Sequence, residues 1–268
     1  MVKNRAFLKW AGGKYNLIED INKSLPNQGR LVEPFLGAGS VFLNSEFDDY
    51  LLNDINSDLI NLYKLLQENP EDYIQESRKL FSEEYNDKDR YYDIRAQFNN
   101  TTDTFKRSVF FLYMNRHGYN GLCRYNLKGG YNVPFGRYKK PYFPEKELWF
   151  FAEKSQKATF TNNCFRTTFA SAKKGDVIYC DPPYAPLSPT ASFTSYSGQG
   201  FKLKDQEELA TLAEESSNNG IPVIISNHDL DLTRRLYKKA ELTEIQVKRT
   251  ISQKAGKRLK VNELIALF

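Results

Sequence analysis

The chain has 268 residues, 40% of them hydrophobic, with a net charge of +5 and a pI near 8.9. This length suits one large domain or a core with an inserted module, and no apolar run reaches the roughly 18 residues of a membrane span. The three cysteines, Cys123, Cys164 and Cys180, and the two histidines, His117 and His228, lack metal-ligand spacing, which argues against zinc and against a disulfide framework and fits a reducing cytoplasm.

Residues 1–5 lead into no signal-type apolar stretch. A helix is predicted over 13–25, stopped by Pro26, then a strand over 31–35, a Gly-rich turn and a helix over 40–45. A second strand spans 50–54. Asn56 or Ser57 caps the next helix, in which Leu59, Ile60, Tyr63 and Leu66 recur at helical spacing. After Pro70 three helical stretches follow with no strand between them. The last, 104–115, is apolar nearly all round and therefore buried, and Gly118 ends it. Residues 118–140, with their Gly129-Gly130 turn, read as a β-hairpin with long exposed arms.

The alternating pattern then returns. A helix over 144–158 precedes a strand at 159–161 and another at 176–180. A Ser/Pro/Gly-rich stretch, 185–200, has the composition of a lid. A helix over 204–217, a strand over 221–226, a helix over 232–240 and β-rich segments at 242–252 and 262–268 complete the order. The predicted fold is α/β, with a discontinuous Rossmann-like core (1–56 and 145–268) interrupted by a module at 57–144.

Four segments carry chemistry. Asp181-Pro182-Pro183-Tyr184 ends a buried strand, at the sheet edge where ligands bind in open α/β folds. An acid, a proline carbonyl and an aromatic at this place form a shelf for a flat, amine-bearing ring. Phe35-Leu36-Gly37-Ala38-Gly39 is a turn whose glycines let a ligand approach the backbone. Phe42 stands where a dinucleotide fingerprint needs a third glycine, which disfavours NAD. Asp54, ending the next strand, is placed for ribose hydroxyls. An ordinary tight turn is the alternative for 35–39 alone; Asp54 and the shelf favour a nucleoside without a pyrophosphate.

Lys9-Trp10-Ala11-Gly12-Gly13-Lys14 is not a P-loop. Lys14 at a helix start would oppose the helix dipole, which suggests an anionic partner such as a ligand carboxylate; a solvated lysine beside a buried Trp10 is the alternative. Residues 105–144 contain no acid but carry Lys106, Arg107, Arg116, Arg124, Lys128, Arg137, Lys139 and Lys140, interleaved with Tyr119, Tyr125, Tyr131 and Tyr138. Cations and aromatics on a hairpin suit a DNA duplex, with a solvated basic face as the alternative. A second acid-free patch, 248–260, reads as a phosphate-contacting loop or a solvated linker. The His228-Asp229 pair has no nucleophile in context, so local hydrogen bonding is the better reading.

Together these motifs resemble the Dam family of DNA adenine-N6 methyltransferases. The resemblance rests on 7–14, on Val32-Glu33-Pro34-Phe35-Leu36-Gly37-Ala38-Gly39-Ser40, on 53–56, on 115–126 and 134–138, and on 181–184 and 226–229, in the family's motif order. It spans nearly the whole chain. It implies S-adenosylmethionine as methyl donor, with no metal, and Gly-Ala-Thr-Cyt in double-stranded DNA as target. It implies cofactor contacts at Trp10, Lys14, Asp54 and Asp181, with Phe35, Gly37 and Gly39 beside the methionine part and Phe165 on the adenine side. Asp181, Pro182 and Tyr184 would be catalytic. Arg124 would read a guanine, Leu122 and Pro134 would lie against base edges, and Tyr119 would wedge into the stack. Lys9 would meet the outer guanine, with Asn120 and Arg137 on the DNA backbone and Asn126 and Tyr138 also in the DNA interface.

The implied protein acts as a monomer in a bacterial cytoplasm, associated with the nucleoid through DNA. Mismatch-repair marking, replication control and restriction protection are all compatible with it. Alternatives are the same chemistry on cytosine N4 or RNA, and a non-catalytic DNA-binding protein.

Overall fold

A computed structural model describes residues 3–26, 29–185, 200–248 and 260–268. Seven strands form one sheet in the order β3-β2-β1-β4-β5-β7-β6. These are β1 (Arg30–Glu33), β2 (Asp49–Asn53), β3 (Ala158–Thr161), β4 (Asp176–Cys180), β5 (Val223–His228), β6 (Glu241–Lys248) and β7 (Lys260–Leu267). The first five are parallel, while β7 runs antiparallel between β5 and β6. The predicted Rossmann-like α/β core is borne out. β4 is buried along its whole length, as a strand covered on both faces must be, and so lacks alternating polarity.

The two-residue period of the strands assigns the core to two layers. Leu31, Leu52, Val177, Tyr179 and Ile224 face one apolar cluster. It contains residues of α1 (Ile18–Ser24), α2 (Ser57–Glu68), α3 (Pro70–Lys79), α4 (Lys88–Asn100), α5 (Thr104–His117) and α6 (Glu145–Lys154). Val32, Leu51, Ile178, Cys180 and Ile225 face the other, with α7 (Phe165–Ala170) and α8 (Leu203–Asn218). A short α9 (Asp231–Leu236) leads to Tyr237 in the second cluster. Side chains start the module's helices: Asn56 accepts from the backbone of Asp58 and Leu59, Asp87 caps α4 and Asp103 caps α5. α5 is buried from Ser108 to His117, and the Gly118 N–H closes it onto the Met114 carbonyl. Among the described residues no helix is long and apolar enough to cross a membrane.

Several expected elements differ. α1 begins at Ile18, because residues 14–17 make a turn in which the Leu17 N–H donates to the Lys14 carbonyl. The expected helix at 40–45 is only a 3-10 turn, Phe42–Asn44, with the Asn44 amide donating to the Ser40 and Asn4 carbonyls. α7 was not expected at all.

Over 118–140 the two expected arms pair antiparallel but only locally. Only two isolated bridges form, Gly118 with Phe135 and Tyr125 with Tyr131. Backbone hydrogen bonds cross between the arms, such as Tyr119 N–H to the Pro134 carbonyl and Asn132 N–H to the Arg124 carbonyl, while other backbone groups of the second arm are taken up by α4. Tyr91 and Arg95 donate to the Val133 carbonyl, and Asn99 both donates to the Tyr131 carbonyl and accepts its N–H. Positive φ at Asn120, Gly121, Gly129 and Arg137 further breaks the extended run. The expected lid and basic loop fall on 186–199 and 249–259, outside the described residues.

Candidate active site and nucleic-acid interface

β1 is flanked by β2 on one side and β4 on the other, so the strand order reverses at its edge. The carboxyl ends of the strands at that reversal form the crevice where α/β folds bind ligands. Residues 35–39 leave β1 there, Asp54 follows β2, and Asp181 follows β4.

The turn is built around Gly37. Its φ is +50°, and a Cβ would lie 2.8 Å from Trp10 Nε1, so both conformation and space exclude a side chain. Its N–H donates to Asp54 Oδ2 at 2.9 Å, and its carbonyl accepts the Tyr63 hydroxyl at 2.7 Å. Asp54 Oδ1 accepts the Asn56 N–H. Burial raises the Asp54 carboxyl, against these N–H donors, which favour the charged form. Sequence reasoning did not single out Ile55, which adjoins Asp54 and is 58% exposed. Phe35 stacks on Phe165 with ring centroids 5.5 Å apart, and Phe201 closes an aromatic trio.

Lys14 is buried at 4% exposure, and its anionic partner is in the protein. Its Nζ lies 2.8 Å from Asp181 Oδ1, donates to the Gly12 carbonyl, and sits 4.6 Å from the Tyr184 ring centroid. The expectation of Lys14 at a helix start is thus corrected: the ammonium answers the Asp181 carboxylate and not a helix dipole. Burial pushes the Asp181 carboxyl up to about 6; Lys14 pulls it down and Glu263 pushes it up. Glu33, buried beneath, is raised well above the usual range by its burial, and its Oε1 has no hydrogen-bond partner.

Polar side chains behind 181–185 hold the shelf. Gln206 of α8 donates to the Pro183 carbonyl, Asn227 donates to Gln206 and accepts the Ala185 N–H, and His228 Nδ1 is 2.9 Å from the Ala185 carbonyl. The Tyr184 hydroxyl donates to Glu263 at 2.8 Å, and its ring meets His228 edge to face. Asp229 pairs with Arg234, so the His-Asp pair serves local structure. Sequence reasoning missed Gln206 and Glu263, which lie far from the motif in the chain.

Across from this crevice runs 118–140. Lys9 joins the two: its backbone N–H and carbonyl bond the Asn115 side chain, and its Nζ lies 3.9 Å over the Tyr138 ring. Gly121, at φ +61°, lets the chain pass Lys9, since a Cβ would sit 2.2 Å from the Lys9 Cβ. Tyr119, Asn120, Arg124, Asn126, Pro134 and Arg137 are exposed, while Leu122 and Tyr138 are half-buried. Arg124 Nε donates to Asn132 Oδ1 at 2.8 Å, which holds its guanidinium in place. Asn126 Oδ1 accepts the Lys128 and Gly130 N–H groups. Asn120 and Arg137 are the non-glycine residues at positive φ among those described, at 53° and 55°.

Not every expected cation or aromatic faces out. Arg107 pairs with Asp58 and stacks on Phe98, Arg116 is 8% exposed, and Tyr131 is 2% exposed. The Tyr125 hydroxyl donates to Asp58 at 2.6 Å. Asp58 lies outside the acid-free stretch in sequence yet anchors it in space.

The model of the D12 class N6 adenine-specific DNA methyltransferases matches residues 10–251. A DNA adenine methylase of Vibrio cholerae is 61% identical over 100% of this chain and 97% of its own. One from Serratia marcescens is 56% identical over the full length of both, and one from Escherichia coli K12 is 56% identical over 100% of this chain and 96% of its own. The gathering of Asp54 and Asp181 at the strand reversal and the exposed basic segment agree with this match, and the chain belongs to the D12 class N6 adenine-specific DNA methyltransferase family.

Proposed function

We propose that the chain methylates adenine N6 at Gly-Ala-Thr-Cyt sites in duplex DNA, by flipping the base and transferring the methyl group directly. One observation carries this reading: Asp181 and Tyr184 converge on Lys14 Nζ, at 2.8 Å and 4.6 Å. A carboxylate and an aromatic face so close together match the amine edge and ring of one nucleobase.

S-adenosylmethionine supplies an electrophilic methyl group when bound. The residues fit it: the Gly37 turn is held against Asp54 by its N–H, Asp54 offers ribose an acceptor, and Ile55 and Phe165 offer apolar contact. Trp10, Lys14, Phe35 and Gly39 complete the proposed set.

An exocyclic adenine amine is a weak nucleophile because its lone pair delocalises into the ring. Asp181 Oδ2 and the Pro182 carbonyl accept its two N–H groups, which localises the lone pair. Lys14 occupies Oδ1 and favours the ionised form of the half-buried carboxylate. Tyr184 stacks on the ring and sets the attack angle, so proximity supplies much of the acceleration. A carboxyl raised to about 6 is also a better acceptor for the proton shed after transfer than an ordinary aspartate.

Reaching a paired base requires flipping, at a cost of a few kcal/mol. Residues 57–144 serve as the recognition module. Tyr119, 51% exposed beside the positive-φ corner at Asn120, is the wedge. Arg124 reads a guanine, Lys9 the outer guanine, and Leu122 and Pro134 the base edges. Asn120 and Arg137 contact the backbone, and Asn126 and Tyr138 complete the interface. Incubating defined duplexes with labelled S-adenosylmethionine tests the reading. Label in N6-methyladenine at Gly-Ala-Thr-Cyt, lost in Asp181→Ala with DNA binding retained, supports it. Label in cytosine or RNA, or near-normal turnover of Asp181→Ala, refutes it.

A further inference from the structure

Tyr184 is gripped at three points. Lys14 Nζ stands over its face, His228 meets it edge to face at 4.6 Å, and Glu263 Oε2 accepts its hydroxyl at 2.8 Å. The third grip comes from β7, where Glu263 pairs in register with His228 of β5. A carboxylate acceptor makes this hydrogen bond charge-assisted and directional.

We propose that Glu263 is a positioning residue for methyl transfer: from β7 it holds the Tyr184 hydroxyl and so fixes the position of the ring on which the adenine stacks. This inference rests on the reading of Asp181–Tyr184 as the amine-accepting shelf. A tyrosine ring turns about two side-chain bonds. The hydroxyl oxygen lies on the axis of the second bond, so its hydrogen bond restrains rotation about the first and fixes the far end of the ring, while the Lys14 face contact and the His228 edge contact bear on the ring plane. A tilted ring would present the amine off the line of attack, and transfer rates are steeply sensitive to such misplacement.

Glu263 has a second, separable effect through its charge. The groups facing Asp181 are Lys14 from the N-terminal segment, Glu33 from β1, Tyr179 from β4, Tyr184 and Glu263; His228 of β5 flanks Tyr184 and Glu263. Lys14 draws the Asp181 carboxyl down and Glu263 pushes it up. Glutamine at 263 keeps an acceptor for the hydroxyl but removes the charge, which separates the two effects.

The test measures kcat, KM and their pH dependence on a Gly-Ala-Thr-Cyt duplex with the full chain. The variants are E263Q, E263A, Y184F and the E263A/Y184F double, with thermal unfolding of each as a folding control. E263A is expected to lower kcat about 10- to 100-fold, with the cofactor KM within about twofold. Y184F should match it, and the double variant should be no worse than either single, because both remove one interaction. E263Q should retain most of kcat and move the acidic limb of the kcat profile to lower pH. Additive losses, an unchanged kcat in E263A, or an unmoved limb in E263Q would each overturn the proposal. Should E263A not fold, Y184F removes the same hydrogen bond and decides, an unchanged kcat there overturning the proposal. Active Asp181→Ala would sink the underlying shelf; inactive Asp181→Ala beside unaffected E263A would sink only the role of Glu263.

Discussion

Lys14 Nζ and Asp181 Oδ1 lie 2.8 Å apart although most of the chain separates them in sequence. The pair joins the N-terminal segment to the end of β4, and it sets the charge state of the residue on which the proposed chemistry depends. Burial raises the Asp181 carboxyl, and the ammonium opposes that shift.

Replacing Lys14 with methionine therefore leaves a half-buried carboxylate without its counter-charge. The acidic limb of the pH–rate profile is expected to move upward by about one to three pH units. Activity should recover at alkaline pH. Single-turnover methylation between pH 5 and 10 checks this, and a limb that stays in place refutes it.

Arg124 is held by Asn132 before any DNA arrives, so little side-chain entropy is lost on contact. Arg124→Ala should cost about 1–3 kcal/mol of discrimination at one guanine. Competition between Gly-Ala-Thr-Cyt and singly altered duplexes measures it. Unchanged preference at both guanines removes its reading role.

Arg137 is exposed at a positive-φ corner and assigned to a phosphate. Arg137→Ala should weaken binding to cognate and non-cognate duplexes alike and reduce the slope of log K against log salt by about 0.9. A fall in specificity at constant slope would place Arg137 on a base.

His117 is buried at 1% exposure, with Tyr113 and Phe81 against its ring. Burial pushes its pKa down to about 4 from an ordinary 6.5. Between those values the unfolded chain binds the proton and the folded chain does not, so stability falls as pH drops. The loss from pH 7.5 to 5 is about 2 kcal/mol. The raised carboxyls of Asp181, Glu33 and Asp54 act in the opposite sense, so the comparison is with His117→Phe. Urea unfolding at both pH values should show a shallower acid loss in that variant.

Much of the fold was legible because its signals are local. β4 announces itself as an unbroken apolar run, α2 by its spacing and its Asn56 cap, and the turn at Gly37 by its glycines. The alternating aromatics and glycines of 118–140 satisfy a strand pattern, yet its pairing stays at isolated bridges because Tyr91, Arg95 and Asn99 of α4 take up the backbone groups of Val133 and Tyr131. No local pattern carries that competition.

The same division holds at the site. The order and chemistry of Asp54, Asp181 to Tyr184 and the basic stretch follow from the chain alone, since residue type sets what a side chain can accept, donate or stack upon. Which cations face solvent, why Arg107 and Arg116 do not, and which groups tune Asp181 were decided only in three dimensions. Those answers depend on burial and on charges brought within a few ångströms by strands distant in sequence, and electrostatic energy follows spatial separation, not position along the chain.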